Sequence, residues 1–273
     1  MRLLKALLPL LLIISGCSTP VVYDVLIRNG NIADGTGTDI FRGDIGIMSD
    51  SIAAIGDLKK AVGTTEIDAA GMTVAPGFIN MLSWSVESLI EDGRSLGDIC
   101  QGVTLEVMGE GDSWGPWSES MKKVMKASQG DIKYDIGWTT LGEYLEYLEK
   151  KGVSTNIASF VGTSTLRIYV VGYDDRPPTA TEMDSMKLLV RQAMEEGAIG
   201  VSSALEYIPA SFASTEELAE LCRVAKEYDG MYISHIRNED ETFLEAIDDF
   251  LKIPAATGIR AEIFSSDPSV MFV

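Results

Sequence analysis

The stretch Ala75-Pro76-Gly77-Phe78-Ile79-Asn80-Met81-Leu82-Ser83-Trp84 constrains the fold most, because the character of the chain changes across it. Pro76 fixes φ and Gly77 accepts positive φ, so the pair supplies a turn, and the apolar run after it has the length of a buried strand. Before it, residues 22–74 read as short strands such as Tyr23–Arg28, Asp44–Met48 and Ser51–Gly56, joined by Asn29-Gly30 and other glycine links that suit hairpins. After it, strand patterns at 78–84, 104–110, 155–161, 199–205, 231–236 and 260–264 alternate with helical patterns near 95–101, 118–127, 140–151, 179–197, 214–229 and 241–257. Three of these helices open on capping boxes, Thr140-x-x-Glu143, Thr179-x-x-Glu182 and Ser214-x-x-Glu217. Such alternation implies parallel strands and right-handed crossovers, and so an α/β fold, either a (β/α) barrel or a doubly wound sheet. Six strands are visible where a closed barrel has eight.

The N-terminus carries a different signal. Arg2 and Lys5 precede an apolar run from Ala6 to Ile14 that is too short to span a bilayer comfortably, the pattern of an export signal. Ile14-Ser15-Gly16-Cys17 resembles the lipobox of bacterial lipoproteins, which implies Cys17 as the lipidated first residue of the mature protein. With Ser18 rather than Asp after it, the resemblance implies the periplasmic side of the outer membrane. The formal net charge is −19, from 41 Asp and Glu against 22 Lys and Arg. That balance excludes nucleic acid as a natural partner and leaves attachment to anionic lipid to the acyl anchor. Cys100 and Cys222 fall in helical patterns without metal-type spacing and read as buried free thiols.

Val25-Leu26-Ile27-Arg28-Asn29-Gly30 through Gly37, then Ile67-Asp68-Ala69-Ala70-Gly71 through Ile79, resemble the opening of the amidohydrolase superfamily. Asp174-Asp175-Arg176-Pro177-Pro178-Thr179-Ala180 and Tyr232-Ile233-Ser234-His235-Ile236-Arg237-Asn238-Glu239 are similar to its N-acyl-D-amino-acid deacylase branch. The resemblance runs from about residue 22 to about residue 263. It implies a small β-sandwich unit over 22–74 and about six of the eight strands of a metal-dependent hydrolase barrel over 75–273, after a signal region at 1–19. It also implies hydrolysis of an N-acyl amino acid or related small amide by zinc-activated water. Further barrel strands and the Asp that handles the catalytic proton are expected beyond residue 273, and open strand edges make an oligomer an expectation.

The departures from the family pattern are as informative. The usual His-x-His pair falls on Leu82 and Trp84, the metal-binding Cys falls on Gly111, a His often found in the branch falls on Thr163, and the His expected after Ile263 is absent. His235 is the only histidine, at the C-terminal end of a strand pattern where barrel active sites are built. The remaining metal donors must then be carboxylates, and Glu110 and Asp112 at the end of the second strand pattern are the best placed, so the expected ligand set is His235, Glu110 and Asp112. Arg237 and Glu239 are candidates for orienting substrate or His235, against an ordinary surface ion pair. Gly111-Asp112-Ser113-Trp114-Gly115 matches the G-x-S-x-G elbow of serine hydrolases, but Trp114, Pro116 and Trp117 intervene where a helix should begin. Trp84, Trp114 and Trp117 suit either a pocket mouth or core packing. Two functions follow: a metal-dependent amide hydrolase, or a lipid-anchored binding protein that keeps the fold with impaired catalysis.

Overall fold

The computed structural model describes residues 20–264, so the signal region, Cys17 and the tail from Ser265 lie outside the described residues. The chain divides at Pro76/Gly77 into two compact units.

The first unit is a sheet. Strands β1 (Val22–Ile32), β2 (Phe41–Met48), β3 (Ser51–Gly56), β4 (Val62–Asp68) and β5 (Thr73–Val74) form one five-stranded sheet in the order β3-β2-β1-β4, with β5 also on β1. The β1–β2 and β2–β3 pairs are antiparallel hairpins, whereas β4 and β5 run parallel to β1. Tyr23, Leu26 and Ala61 make its small core. Among the described residues this unit is a single sheet, and the second sheet of the expected sandwich is not formed by them.

The second unit alternates strands and helices: β6 (Phe78–Asn80), α1 (Val86–Glu91), α2 (Leu96–Ile99), β7 (Val103–Met108), α3 (Glu119–Ser128), α4 (Leu141–Lys151), β8 (Asn156–Ser159) and β9 (Val161–Gly162), then α5 (Thr163–Val170), α6 (Ala180–Glu195), β10 (Gly200–Ala204), α7 (Thr215–Glu227), β11 (Met231–His235), α8 (Phe243–Thr257) and β12 (Arg260–Ile263). Every strand pair is parallel, in two runs, β6-β7-β8 and β9-β10-β11-β12. Only Phe160 separates β8 from β9, and the bonds Phe160 N–H to Met108 O and Ile199 N–H to Ser159 O tie the runs together. Spatial order that follows chain order is the winding of a (β/α) barrel, here a partial one that is not closed among the described residues. The main core lies between strands and helices, with Val201 and Tyr232 packed among Leu141, Leu166, Val190 and Phe250. Tyr232 stacks on Phe250 with ring centroids 5.6 Å apart.

Thr140 and Thr179 make both halves of their capping boxes. Ser214 makes only one half: its hydroxyl accepts from Glu217 N–H, but the Glu217 carboxylate turns inward to Arg167. Helix α5 is absent from the sequence expectation, because its eight residues start directly off β9 and Leu166–Val170, apolar except for Arg167, is too short for periodicity to tell from a strand. Pro254 sits inside α8, which continues to a left-handed Gly258 cap whose N–H bonds Pro254 O. Cys222 is buried as expected; Cys100 is exposed, because α2 ends at Ile99 and leaves it at the C-cap.

Candidate active site

Parallel strands bring their C-terminal ends to one side, so residues just past β7, β10 and β11 become neighbours. The register pairs Ala204 with His235, and Leu205 N–H bonds His235 O. The chain after β7 must then pass close to β10. Gly109 (φ +98°) and Gly111 (φ +67°) permit this: a Cβ at Gly111 would meet Ala204 Cβ at 2.6 Å, and one at Gly109 would meet Phe160 O at 2.5 Å. Glu110, carried between them, turns toward His235.

His235 sits among three carboxylates. Its Nδ1 is 3.2 Å from Glu110 Oε1, and its Nε2 is 3.4 Å from Glu206 Oε2 and 3.9 Å from Glu239 Oε1. The Tyr207 ring lies against the imidazole, centroids 5.4 Å apart. Trp84 Nε1 donates to the other Glu110 oxygen at 3.0 Å, and Glu239 N–H donates to Glu206 Oε1 at 3.1 Å. Glu239 Oε1 is buried with no hydrogen-bond partner. Among the described residues no Lys or Arg reaches these three carboxylates. The corner therefore concentrates negative charge around the His235 ring.

The expected ligand set does not form as a set. His235 and Glu110 meet, but both imidazole nitrogens already face carboxylates, and Asp112 points elsewhere, into the wall of a cavity beside Thr165. Asp112 reaches solvent through the cavity but is otherwise surrounded by protein, and that desolvation, opposed by the Thr165 hydroxyl and reinforced by the Glu110 charge, raises its pKa. Among the described residues no three of His, Cys, Asp and Glu are arranged to hold a metal ion. The donor types suit zinc, and the unpartnered Glu239 oxygen suits a cation, yet the geometry does not complete a site.

Arg237 is a structural residue. Its guanidinium donates to Ser211 O at 3.2 Å and to Ala213 O, pinning the loop before α7, and Nε is 3.9 Å from Asp249. Glu239 does join the corner, as does Glu206, which sequence reasoning missed; its only signal was a position two residues past β10. Ser113 is no nucleophile: its buried hydroxyl donates to Gly115 O at 2.6 Å and accepts from Gly162 N–H at 3.0 Å. Thr163 heads α5 with its hydroxyl buried and unpartnered, and Phe264, in place of the expected His, packs edge-on against Phe160.

The chain matches no protein-family model. It is 34% identical over 235 residues to D-aminoacylase of Alcaligenes xylosoxydans xylosoxydans, covering 85% of this chain and 48% of that protein. It is 33% identical over 237 residues to N-acyl-D-glutamate deacylase of the same organism, covering 86% and 48%. A solved structure of N-acyl-D-glutamate deacylase from Bordetella bronchiseptica, in complex with zinc and a phosphonate mimic of the tetrahedral intermediate, superposes with a TM-score of 0.78 at 32% identity, over 88% of this chain and 50% of that one. The chain thus spans about half the length of the curated relatives it matches. By sequence and by fold it is similar to the amidohydrolase superfamily enzymes D-aminoacylase and N-acyl-D-glutamate deacylase.

Proposed function

We propose that the protein is a hydrolase of the C–N bond in N-acylated D-amino acids. One observation carries this reading: the sole histidine stands at the C-terminal end of β11 with Glu110 at 3.2 Å, in a chain similar over most of its length to D-aminoacylase and N-acyl-D-glutamate deacylase. Glu110 fixes the orientation of the imidazole through Nδ1, and Glu206 lies 3.4 Å from its other nitrogen. Held in this way, His235 can deliver a proton to the nitrogen that departs as the amide breaks. Zinc enters the proposal from the relatives, where it would polarise the carbonyl and acidify a water. His235, Glu110, Glu206 and Glu239 are the donors gathered at this corner, and among the described residues they do not complete a metal site.

A second reading, a binding protein that does not turn its ligand over, is favoured by Trp84, whose indole occupies the Glu110 carboxylate, and by Gly111, which leaves no room for a donor side chain. One assay separates the two. Purified full-length protein supplied with zinc should release leucine from N-acetyl-D-leucine and not from the L enantiomer. Release from neither, with the protein folded by circular dichroism, favours the binding protein.

The export and lipid-anchor reading is also a proposal, supported by Arg2, Lys5, the run from Ala6 to Ile14 and the lipobox-like Ile14-Ser15-Gly16-Cys17. No described helix is long and apolar enough to cross a membrane. Labelling with a palmitate analogue should mark the wild type and not Cys17→Ser; equal labelling of both would refute the anchor.

A further inference from the structure

A second feature lies beside His235. A cavity of about 530 Å³ opens in the second unit, walled by Trp114, Trp117, Met121, Met125 and Ile168. Its size falls within the range of small-molecule sites, and its wall is mostly apolar. The lining follows from the sequence of α3: Met121, Val124 and Met125 recur at i, i+3 and i+4 on one face, yet no residue of α3 is fully buried. That apolar stripe lines the cavity while Met121 and Met125 also touch the edge of the main core, and its two methionines give a wall that adapts to flexible chains.

The cavity is joined to the candidate active site. Trp84, 57% exposed, lines it while donating to Glu110, and Ile208, 66% exposed, follows directly on Tyr207, which packs on His235. At the end nearest this corner the cavity carries Asp112, with Glu110 close by. A free carboxylate placed there would meet two acids, whereas an amide N–H would find acceptors.

We propose that this cavity binds the hydrocarbon chain of an uncharged acyl group carried on an amide, with the chain along α3 and the amide at the Asp112 end. The proposal rests on the hydrolase reading for the identity of that amide, and it makes acyl-chain length a determinant of affinity. An aliphatic chain buries its methylenes against Met121, Met125 and Ile168, and each buried methylene should tighten binding about fourfold.

Three tryptophans in the wall supply the readout. Full-length protein stripped of metal with a chelator, so that the amide is not turned over, is titrated with uncharged N-acyl-D-leucine amides from acetyl to decanoyl, following tryptophan emission. Affinity should rise about fourfold per methylene until the cavity is full. Val124→Glu places a charge in the wall at a position already 65% exposed, so it should fold with an unchanged melt and weaken decanoyl binding about tenfold or more. Decanoate should bind more weakly than decanamide at neutral pH. Equal affinities across the series, wild-type decanoyl binding by Val124→Glu, or decanoate binding as well as decanamide would each overturn the proposal. Because binding is read without turnover, chain-length dependence in a protein that hydrolyses nothing keeps the cavity and refutes the hydrolase; hydrolysis of acetyl substrates with flat chain-length dependence does the reverse.

Discussion

Arg167 of α5 and Glu217 of α7 meet in the core: Arg167 Nη1 donates to both Glu217 carboxylate oxygens at 2.8 Å, and the two side chains are 1% and 4% exposed. The same guanidinium donates to the carbonyls of Asp174 and Arg176, so one buried cation joins two helices to the loop before α6. Removing it strands a carboxylate in the core. We expect Arg167→Met to cost about 3–5 kcal/mol, and Arg167→Met with Glu217→Leu to recover most of that loss, read as urea midpoints. A double variant no more stable than the single one would contradict the pairing.

Gly111 occupies the position where the family pattern has a metal-binding cysteine. Its φ of +67° and the 2.6 Å approach of Ala204 to any Cβ forbid a side chain there without backbone movement. Gly111→Cys should therefore lose about 1–3 kcal/mol of stability and gain no zinc by elemental analysis. A stable variant that takes up an additional zinc would show that the loop after β7 has a second conformation.

Glu106 is fully buried with no basic partner. Burial alone would raise its pKa, but hydroxyls of Ser83, Ser85, Thr155 and Ser95 outweigh that and hold it below the ordinary 4.5. A carboxyl depressed in the folded state stabilises above its unfolded pKa, and that contribution fades as pH falls below about 4.5 through the folded value. Glu106→Gln should be less stable than wild type near neutral pH, and the gap should narrow on acidification. A gap that stays constant to about pH 3 would contradict the assignment.

Arg237 belongs to the motif that carries the resemblance, yet its donors are spent on the carbonyls of Ser211 and Ala213. Arg237→Met should lower stability by about 1.5–3 kcal/mol while leaving KM for N-acetyl-D-leucine within about twofold. A large rise in KM with unchanged stability would return Arg237 to the substrate.

The alternation of strands and helices was legible because each element repeats its own period, and caps at Thr140 and Thr179 fixed helix starts with local chemistry. The Ser214 box misled by half, since Glu217 answers a partner 50 residues away that no local pattern reveals. The site shows the same division. His235 and Glu239 were marked by a motif and Glu110 by its strand end, but Glu206 enters through the β10–β11 register. Asp112, two residues from Glu110, is turned away from His235 by the left-handed step at Gly111. The cavity was foreshadowed only by its tryptophans, because the α3 stripe reads as an ordinary core face until its lack of burial is seen.

The most direct measurement is kcat/KM for N-acetyl-D-leucine, with zinc present, for the full-length protein and its His235→Asn variant. If His235 moves the proton that completes amide cleavage, the variant should lose at least about a hundredfold while melting at the same temperature. Rates within about twofold of each other would place the chemistry elsewhere and contradict the central role of the His235–Glu110 corner.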